Sequence, residues 1–130
     1  MTYFVQVGLV LREEDEKRLY DEAKKADVDL SWIDGRFERV VFTVKGYGTW
    51  VELMCYEFNR WGEDDAEISF VLNFIRSCQY YQYGHEGEEY GDCDLETRLP
   101  EGMKKILSLQ YEPHLIEQSW EFSREEKEAA

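Results

Sequence analysis

Residues 3–11 read Tyr-Phe-Val-Gln-Val-Gly-Leu-Val-Leu, and their side chains alternate in character with a period of two. The odd positions are all apolar, whereas the even positions include Gln6 and Gly8. Successive side chains of a strand point to opposite faces of a sheet, so this pattern predicts a β-strand with one face in the core. We expect this strand to open the sheet.

A helix and a second strand are predicted to follow. Residues 12–26 place apolar side chains at helical spacing, and oppositely charged side chains recur four residues apart on the other face. The apolar positions are Leu19, Tyr20, Ala23 and Ala26. After the turn-like pair Asp34-Gly35, the alternation of Val40, Phe42 and Val44 predicts a strand that Gly46 and Gly48 end.

The next two elements are predicted as a helix and then a strand. Thr49 and Glu52 have the spacing of a capping box, which satisfies free amide groups at a helix N-terminus. An apolar stripe follows at helical spacing up to Gly62, the expected C-cap, and would place Cys55 in the core. Its members are Val51, Met54, Cys55, Phe58 and Trp61. Residues 67–76 alternate with a period of two and predict a strand.

The rest of the chain predicts a hairpin and a less regular C-terminal part. Residues 79–83 and 88–99 are expected to pair around a turn at residues 84–87, which read Gly-His-Glu-Gly. Residues 103–111 fit a helix and a strand equally well, and Pro113 would break either. Residues 117–130 are polar and acidic, which predicts a tail that is partly ordered or frayed.

These elements predict an α+β fold. We expect residues 1–116 to form a single domain, with a mainly antiparallel sheet and two or three helices packed on one face. A ferredoxin-like topology is one candidate for this element order.

Composition and charge narrow the classes of protein. With 43% hydrophobic and 15% aromatic residues, the 130-residue chain has enough apolar area for a core, unlike a disordered acidic segment. A net charge of −14 disfavours binding to DNA, RNA or an anionic membrane and favours a basic protein partner. Three widely spaced cysteines and an N-terminus without signal-peptide features predict reduced thiols and a cytoplasmic location.

The negative charge is concentrated in residues 63–96, which contain ten acidic side chains and one basic side chain, Arg76, and so carry nine of the fourteen net charges. The even positions of the second hairpin strand are largely acidic, and alternate residues of a strand share a face about 6.6 Å apart. That spacing is close to the phosphate spacing of a nucleic-acid strand. The predicted partner-binding residues are Glu86, Glu88, Glu89, Asp92, Asp94 and Glu96, then Glu63, Asp64 and Asp65, with the flanking tyrosines Tyr83 and Tyr90.

The sequence contains no phosphate-binding loop, nucleophile elbow, zinc-protease motif or paired C-x-x-C. Cys78, His85 and Cys93 lie near Asp92 and Asp94, but their spacing matches no familiar zinc pattern. We therefore predict no cofactor, no metal and no catalytic residues.

The resulting hypothesis is a stoichiometric inhibitor that blocks a basic protein, such as a nuclease or another nucleic-acid-binding protein, through clustered carboxylates. DNA-mimicking anti-restriction and anti-CRISPR proteins of phages and nuclease immunity proteins have this character. The alternative is a small cytosolic enzyme or ligand-binding domain with a pocket between sheet and helices, lined by tyrosines or by Trp32, Trp50 or Trp61. The sequence does not specify an oligomeric state.

Overall fold

The computed structural model describes residues 4–59, 61–87 and 93–103. The strands are β1 (Phe4–Arg12), β2 (Glu38–Val44), β3 (Gly48–Asn59), β4 (Tyr81–Gly87) and β5 (Cys93–Arg98). The helices are α1 (Glu13–Lys25), α2 (Ser31–Arg36) and α3 (Ala66–Ser77). Residues 101–103 are also helical.

The five strands form one sheet in the order β2-β3-β1-β4-β5, and every neighbouring pair is antiparallel. The element order β1-α1-α2-β2-β3-α3-β4 with this strand order is the ferredoxin-like arrangement with the short helix α2 added before β2, and β5 adds an outer strand. The predicted α+β fold with an antiparallel sheet is therefore confirmed.

The larger core lies between the sheet and helices α1, α2 and α3. The odd residues of β1, from Val5 to Leu11, are buried there against Leu19 of α1, Ile33 of α2 and Leu72 of α3. Three helices on one face agree with the prediction from the sequence. The N-terminal strand is confirmed as well, since Phe4–Arg12 is the central strand and pairs with both β3 and β4.

A smaller core covers the other face of the sheet. It contains Val10, Phe42, Trp50, Leu99 and Met103, and Met54 is buried beside them. Two polar side chains are also buried on this face, Glu52 at 0% and Gln82 at 1% exposure, and they flank Val10 on the two neighbouring strands. With apolar clusters on both faces, the central strands are buried on both sides.

The predicted helix from Thr49 to Trp61 is wrong, because Gly48–Asn59 is strand β3. It pairs with β1 on one side and with β2 on the other, and every residue from Trp50 to Cys55 is buried. A strand buried on both faces is apolar at successive positions, which hides the two-residue alternation. Gly62 therefore does not end a helix, although the predicted burial of Cys55 is confirmed.

The predicted strand at residues 67–76 is also wrong, because Ala66–Ser77 is helix α3. Its buried positions Ile68, Val71, Leu72 and Ile75 follow helical spacing, and Phe74 lies beside them. The carboxylate of Asp65 accepts hydrogen bonds from the N–H groups of Glu67 and Ile68 and caps the helix. The even residues Ile68, Phe70, Leu72 and Phe74 are apolar, which imitates the alternation of a strand. Three of them, Ile68, Leu72 and Phe74, are buried positions of the helix, so both patterns include them.

Two smaller predictions need correction. Asp34-Gly35 lies inside α2, and residues 84–87 belong to β4 and do not form a turn. The hairpin itself is confirmed, since β4 and β5 pair from Tyr81–Arg98 to Glu86–Cys93. The predictions for residues 104–130 lie outside the described residues.

Candidate acidic interaction surface

The structure places the predicted partner-binding residues on three neighbouring segments. Glu63, Asp64 and Asp65 precede α3, Glu86 and Tyr83 lie on β4, and Asp94 and Glu96 lie on β5. Glu88, Glu89, Tyr90 and Asp92 are outside the described residues.

Arg76, near the C-terminal end of α3, joins two of the predicted carboxylates. Its Nε and Nη2 donate to the two carboxylate oxygens of Glu96 at 3.0 and 2.7 Å, and its Nη1 donates to Glu63. The hydroxyl of Tyr81 donates to Glu96 Oε1 at 3.1 Å. We call Glu63, Arg76, Tyr81 and Glu96 the Arg76 cluster. Through these bonds the end of α3 is connected both to the segment before α3 and to strand β5.

The Arg76 cluster keeps a net negative charge. The bidentate hydrogen bonds from Arg76 lower the pKa of Glu96, and both carboxylates raise the pKa of Arg76. Burial, followed by the bond to Glu96, raises the pKa of Tyr81. Two carboxylates therefore share one guanidinium at neutral pH. Glu63 remains 58% exposed, whereas Glu96 is 27% exposed.

The acidic stripe predicted on β5 is present in the described residues but is not uniform. Asp94 and Glu96 lie on one face, opposite His85 and Tyr83 of β4, as their spacing predicts. Glu96 binds Arg76, whereas Asp94 is exposed and its Oδ1 accepts from the N–H of Leu95 at 2.9 Å. Asp94 therefore presents its charge to solvent more directly than Glu96 does.

The acidic residues before α3 have distinct roles. Asp65 caps the helix, so its carboxylate already serves the fold, although the residue is exposed. Asp64 is exposed beside it, and Glu67 in the first turn of α3 is partly exposed. Together with Glu63 they place four carboxylates within five residues.

Tyr83 is buried at 3% exposure and belongs to the core of the helix face. Its hydroxyl accepts from Trp61 Nε1 at 2.8 Å and lies 3.0 Å from His85 Nδ1. Burial raises the pKa of Tyr83 to about 12. Tyr83 thus anchors the segment before α3 to β4 and contributes little exposed surface to a partner.

The tryptophans do not line one common pocket. Trp32 and Trp61 pack with Phe37 and Phe58 at the helix face, with ring centroids 5.0–6.4 Å apart. Trp50 is buried on the opposite face of the sheet. These indoles serve packing, so the described residues give no support to a pocket lined by the three of them.

The candidate metal ligands do not come together in the part of the chain that is described. Cys78 is buried just after α3 and contacts Arg18 and the carbonyl of Phe74, whereas His85 lies near the far end of β4 beside Tyr83. Within residues 4–59, 61–87 and 93–103, no three histidine, cysteine or acidic side chains are arranged to hold a metal ion.

Sequence reasoning did not predict the roles of the two residues that organise this surface. Arg76 and Trp61 connect segments that are distant along the chain, and neither forms a recognisable motif. The sequence did contain one indication of the role of Arg76, which is the one basic residue among residues 63–96. A single cation among ten acids is a natural ion-pair partner, but its position needs the fold.

No protein-family model, curated protein or solved structure matches this chain. None of the helices in the described ranges has the length and apolar character needed to cross a membrane.

Proposed function

We propose that this protein is a small acidic inhibitor that binds a basic nucleic-acid-binding protein, such as a nuclease, and blocks it stoichiometrically. The observation that carries the proposal is the Arg76 cluster, which brings two acidic segments of the sequence onto one surface. Acidity that served only solubility would not require them to meet.

The charge of this surface supports the same conclusion. Its described part contains six acidic residues and two bases, Arg76 and Arg98, a net charge of −4. We call these six carboxylates the acidic surface: Glu63, Asp64, Asp65, Glu67, Asp94 and Glu96. Glu86 is not among them, because it follows His85 on β4 and its side chain points to the other face of the sheet. Like charges placed together on a fold repel each other, and a cationic partner would relieve that repulsion.

Inhibition would proceed by competition. Long-range attraction between the acidic surface and a basic groove would speed the encounter, and the bound protein would occupy the site where the nucleic-acid backbone lies. Asp94 and Asp64 are the charges we expect to contribute most, because both are exposed and neither is in the Arg76 cluster. No covalent bond is made or broken, so the protein would act stoichiometrically and without catalytic turnover.

A capture experiment tests this proposal. The immobilised protein is exposed to a cell lysate freed of nucleic acid, and the retained proteins are then challenged with duplex DNA. We expect nucleic-acid-binding proteins to be retained and to elute when DNA is added. Retention should weaken several-fold in the double variant Asp64→Lys with Asp94→Lys.

A matched control separates local charge from total charge. The double variant Asp21→Lys with Glu22→Lys changes the net charge equally on exposed positions of α1 and should retain the same proteins. If both double variants lost retention equally, the net charge of the protein and not the acidic surface would explain the binding. Retention that DNA does not disturb would contradict inhibition by nucleic-acid mimicry.

A further inference from the structure

Among the described strands, β2 forms one edge of the sheet, and its sequence is largely apolar. Its residues 38–44 read Glu-Arg-Val-Val-Phe-Thr-Val, and all seven pair in regular register with β3. An edge strand offers a row of N–H and C=O groups to another strand. Val41, at 45% exposure, is the one large hydrophobic residue classed as exposed among the described residues.

The two edges of the sheet differ in protection. Strand β5 carries Asp94, Glu96 and Arg98 at alternate positions, and such charges discourage pairing with a further strand. Strand β2 has no proline, no glycine and no bulge, and its charged residues are confined to the first two positions. Arg39 is already bound by Glu16 of α1 through two hydrogen bonds of 2.9 and 2.8 Å.

The sequence of β2 is compatible with pairing to itself. In an antiparallel pair related by a two-fold axis through Val41, all seven residues find a partner in the second copy. Val41 then faces Val41, Val40 faces Phe42, Arg39 faces Thr43 and Glu38 faces Val44. No two like charges stand directly opposite each other. A shift by two residues would place Arg39 opposite Lys45, which is unfavourable.

The distribution of charge also permits two copies to meet at this edge. Strand β5, which carries part of the acidic surface, lies four strand spacings from β2, or about 19 Å. In a sheet joined at β2 the β5 strands of the two copies would lie nine strand spacings apart, about 43 Å. This exceeds the Debye length of about 8 Å at physiological ionic strength, so repulsion between them is largely screened. Near β2, the charges of Arg39 and Glu16 compensate each other.

We infer that β2 is a dimerisation edge, at which a second copy of this chain adds antiparallel to form a continuous ten-stranded sheet. The two acidic surfaces would then lie at opposite ends of the dimer, each open to a partner. This interface is independent of the proposed inhibitory function, because β2 and β5 are opposite edges of the sheet.

The oligomeric state tests the inference directly. Sedimentation equilibrium of the full chain over a concentration series should show a reversible approach to twice the mass of 15.6 kDa. The variant Val41→Lys places like charges opposite each other at the two-fold axis and should weaken the dimer roughly tenfold or more. Thr97→Lys makes a similar change on exposed strand β5 and should leave the dimer intact.

A cross-link tests the register. Val41→Cys should form a covalent dimer on mild oxidation, whereas Thr97→Cys and the wild-type chain should not. Circular dichroism of each variant confirms that the fold is retained. A wild-type chain that stays monomeric throughout the series would overturn the inference, and so would a dimer that Val41→Lys leaves unchanged.

Discussion

Arg76 is the residue on which the arrangement of the acidic surface depends most directly. It is one-third exposed and holds Glu63 and Glu96 together. Replacing it with glutamine removes the charge-assisted bonds and leaves the partly buried Glu96 without its cation. We expect Arg76→Gln to lower the free energy of unfolding by about 1–2 kcal/mol at neutral pH, a figure reduced for solvent screening. Urea denaturation measures this loss.

The effect of Arg76→Gln should depend on pH. The pKa of Glu96 is lower in the folded protein than in the unfolded chain, so its stabilising contribution is present above a pH of about 4.3. It disappears as the pH falls through the folded value. The difference between wild type and variant should therefore narrow in acid. Lys25→Gln removes one exposed positive charge and serves as the control, with an expected change within about 0.5 kcal/mol.

Tyr83 predicts a second pH dependence, at the alkaline end. Its pKa of about 12 exceeds the value of about 10 in an unfolded chain, so the unfolded state loses its proton first as the pH rises. Stability should decline between those values. Tyr83→Phe should make the decline shallower while costing about 1 kcal/mol at pH 7, because Trp61 Nε1 loses its acceptor.

Tyr20 offers an independent measurement of the same effect. Burial, followed by the charge of Asp34, raises the pKa of Tyr20 to about 12, so Tyr20→Phe should also flatten the alkaline decline. The double variant should flatten it further. An alkaline slope in Tyr83→Phe that equals the wild-type slope would show that the buried hydroxyl does not control it.

At the scale of elements, helix α3 depends on its N-terminal cap. Asp65→Ala removes the carboxylate that accepts from the N–H groups of Glu67 and Ile68, so we expect a loss of about 1 kcal/mol in the free energy of unfolding. Asp64→Ala removes the same charge from the preceding exposed position and should cost much less. Equal losses in the two variants, measured by urea denaturation, would assign the effect to charge and not to capping.

The sequence predicted some elements correctly for identifiable reasons. β1 has a polar Gln6 and a glycine between apolar positions, so its alternation is visible, and α1 has a polar face with paired charges. β3 was predicted as a helix because it is apolar on both faces, which hides its alternation. α3 was predicted as a strand because its apolar residues fit a period of two as well as the helical period. The capping signal at Thr49 misled, whereas Asp65 was the true cap.

The candidate site was predictable in composition but not in geometry. Counting charges located the acidic segment, and alternation placed Asp94 and Glu96 on one face. Neither count nor alternation could show that Arg76 binds Glu96 or that Tyr83 is buried, because both depend on α3 packing against β4 and β5. Contacts between residues 13 to 22 positions apart are set by topology.

At the scale of the whole molecule, the net charge of −14 predicts a response to salt. Raising the ionic strength from about 0.01 M to about 0.15 M shortens the Debye length from about 30 Å to about 8 Å. Repulsion among the carboxylates should weaken more than the close ion pairs of Arg76. We expect the thermal midpoint to rise with sodium chloride, as measured by calorimetry; a falling midpoint would mean that ion pairs outweigh the repulsion.

The position of β1 in the middle of the sheet also constrains how the chain folds as it is made. Its two neighbours are β3 and β4, so the last hydrogen bonds of this first strand must wait for Gly87 to be synthesised. At about 5–20 residues per second, the 75 residues that separate Arg12 from Gly87 take about 4–15 s. The β2–β3 hairpin can close earlier, because its last residue is Asn59. Gly46 in its turn and Gly48 at the start of β3 supply the positive φ angles that it requires. During that interval the edge of β1 that pairs with β4 in the folded protein has no partner strand, which makes this apolar strand the part of the nascent chain most open to incorrect pairing.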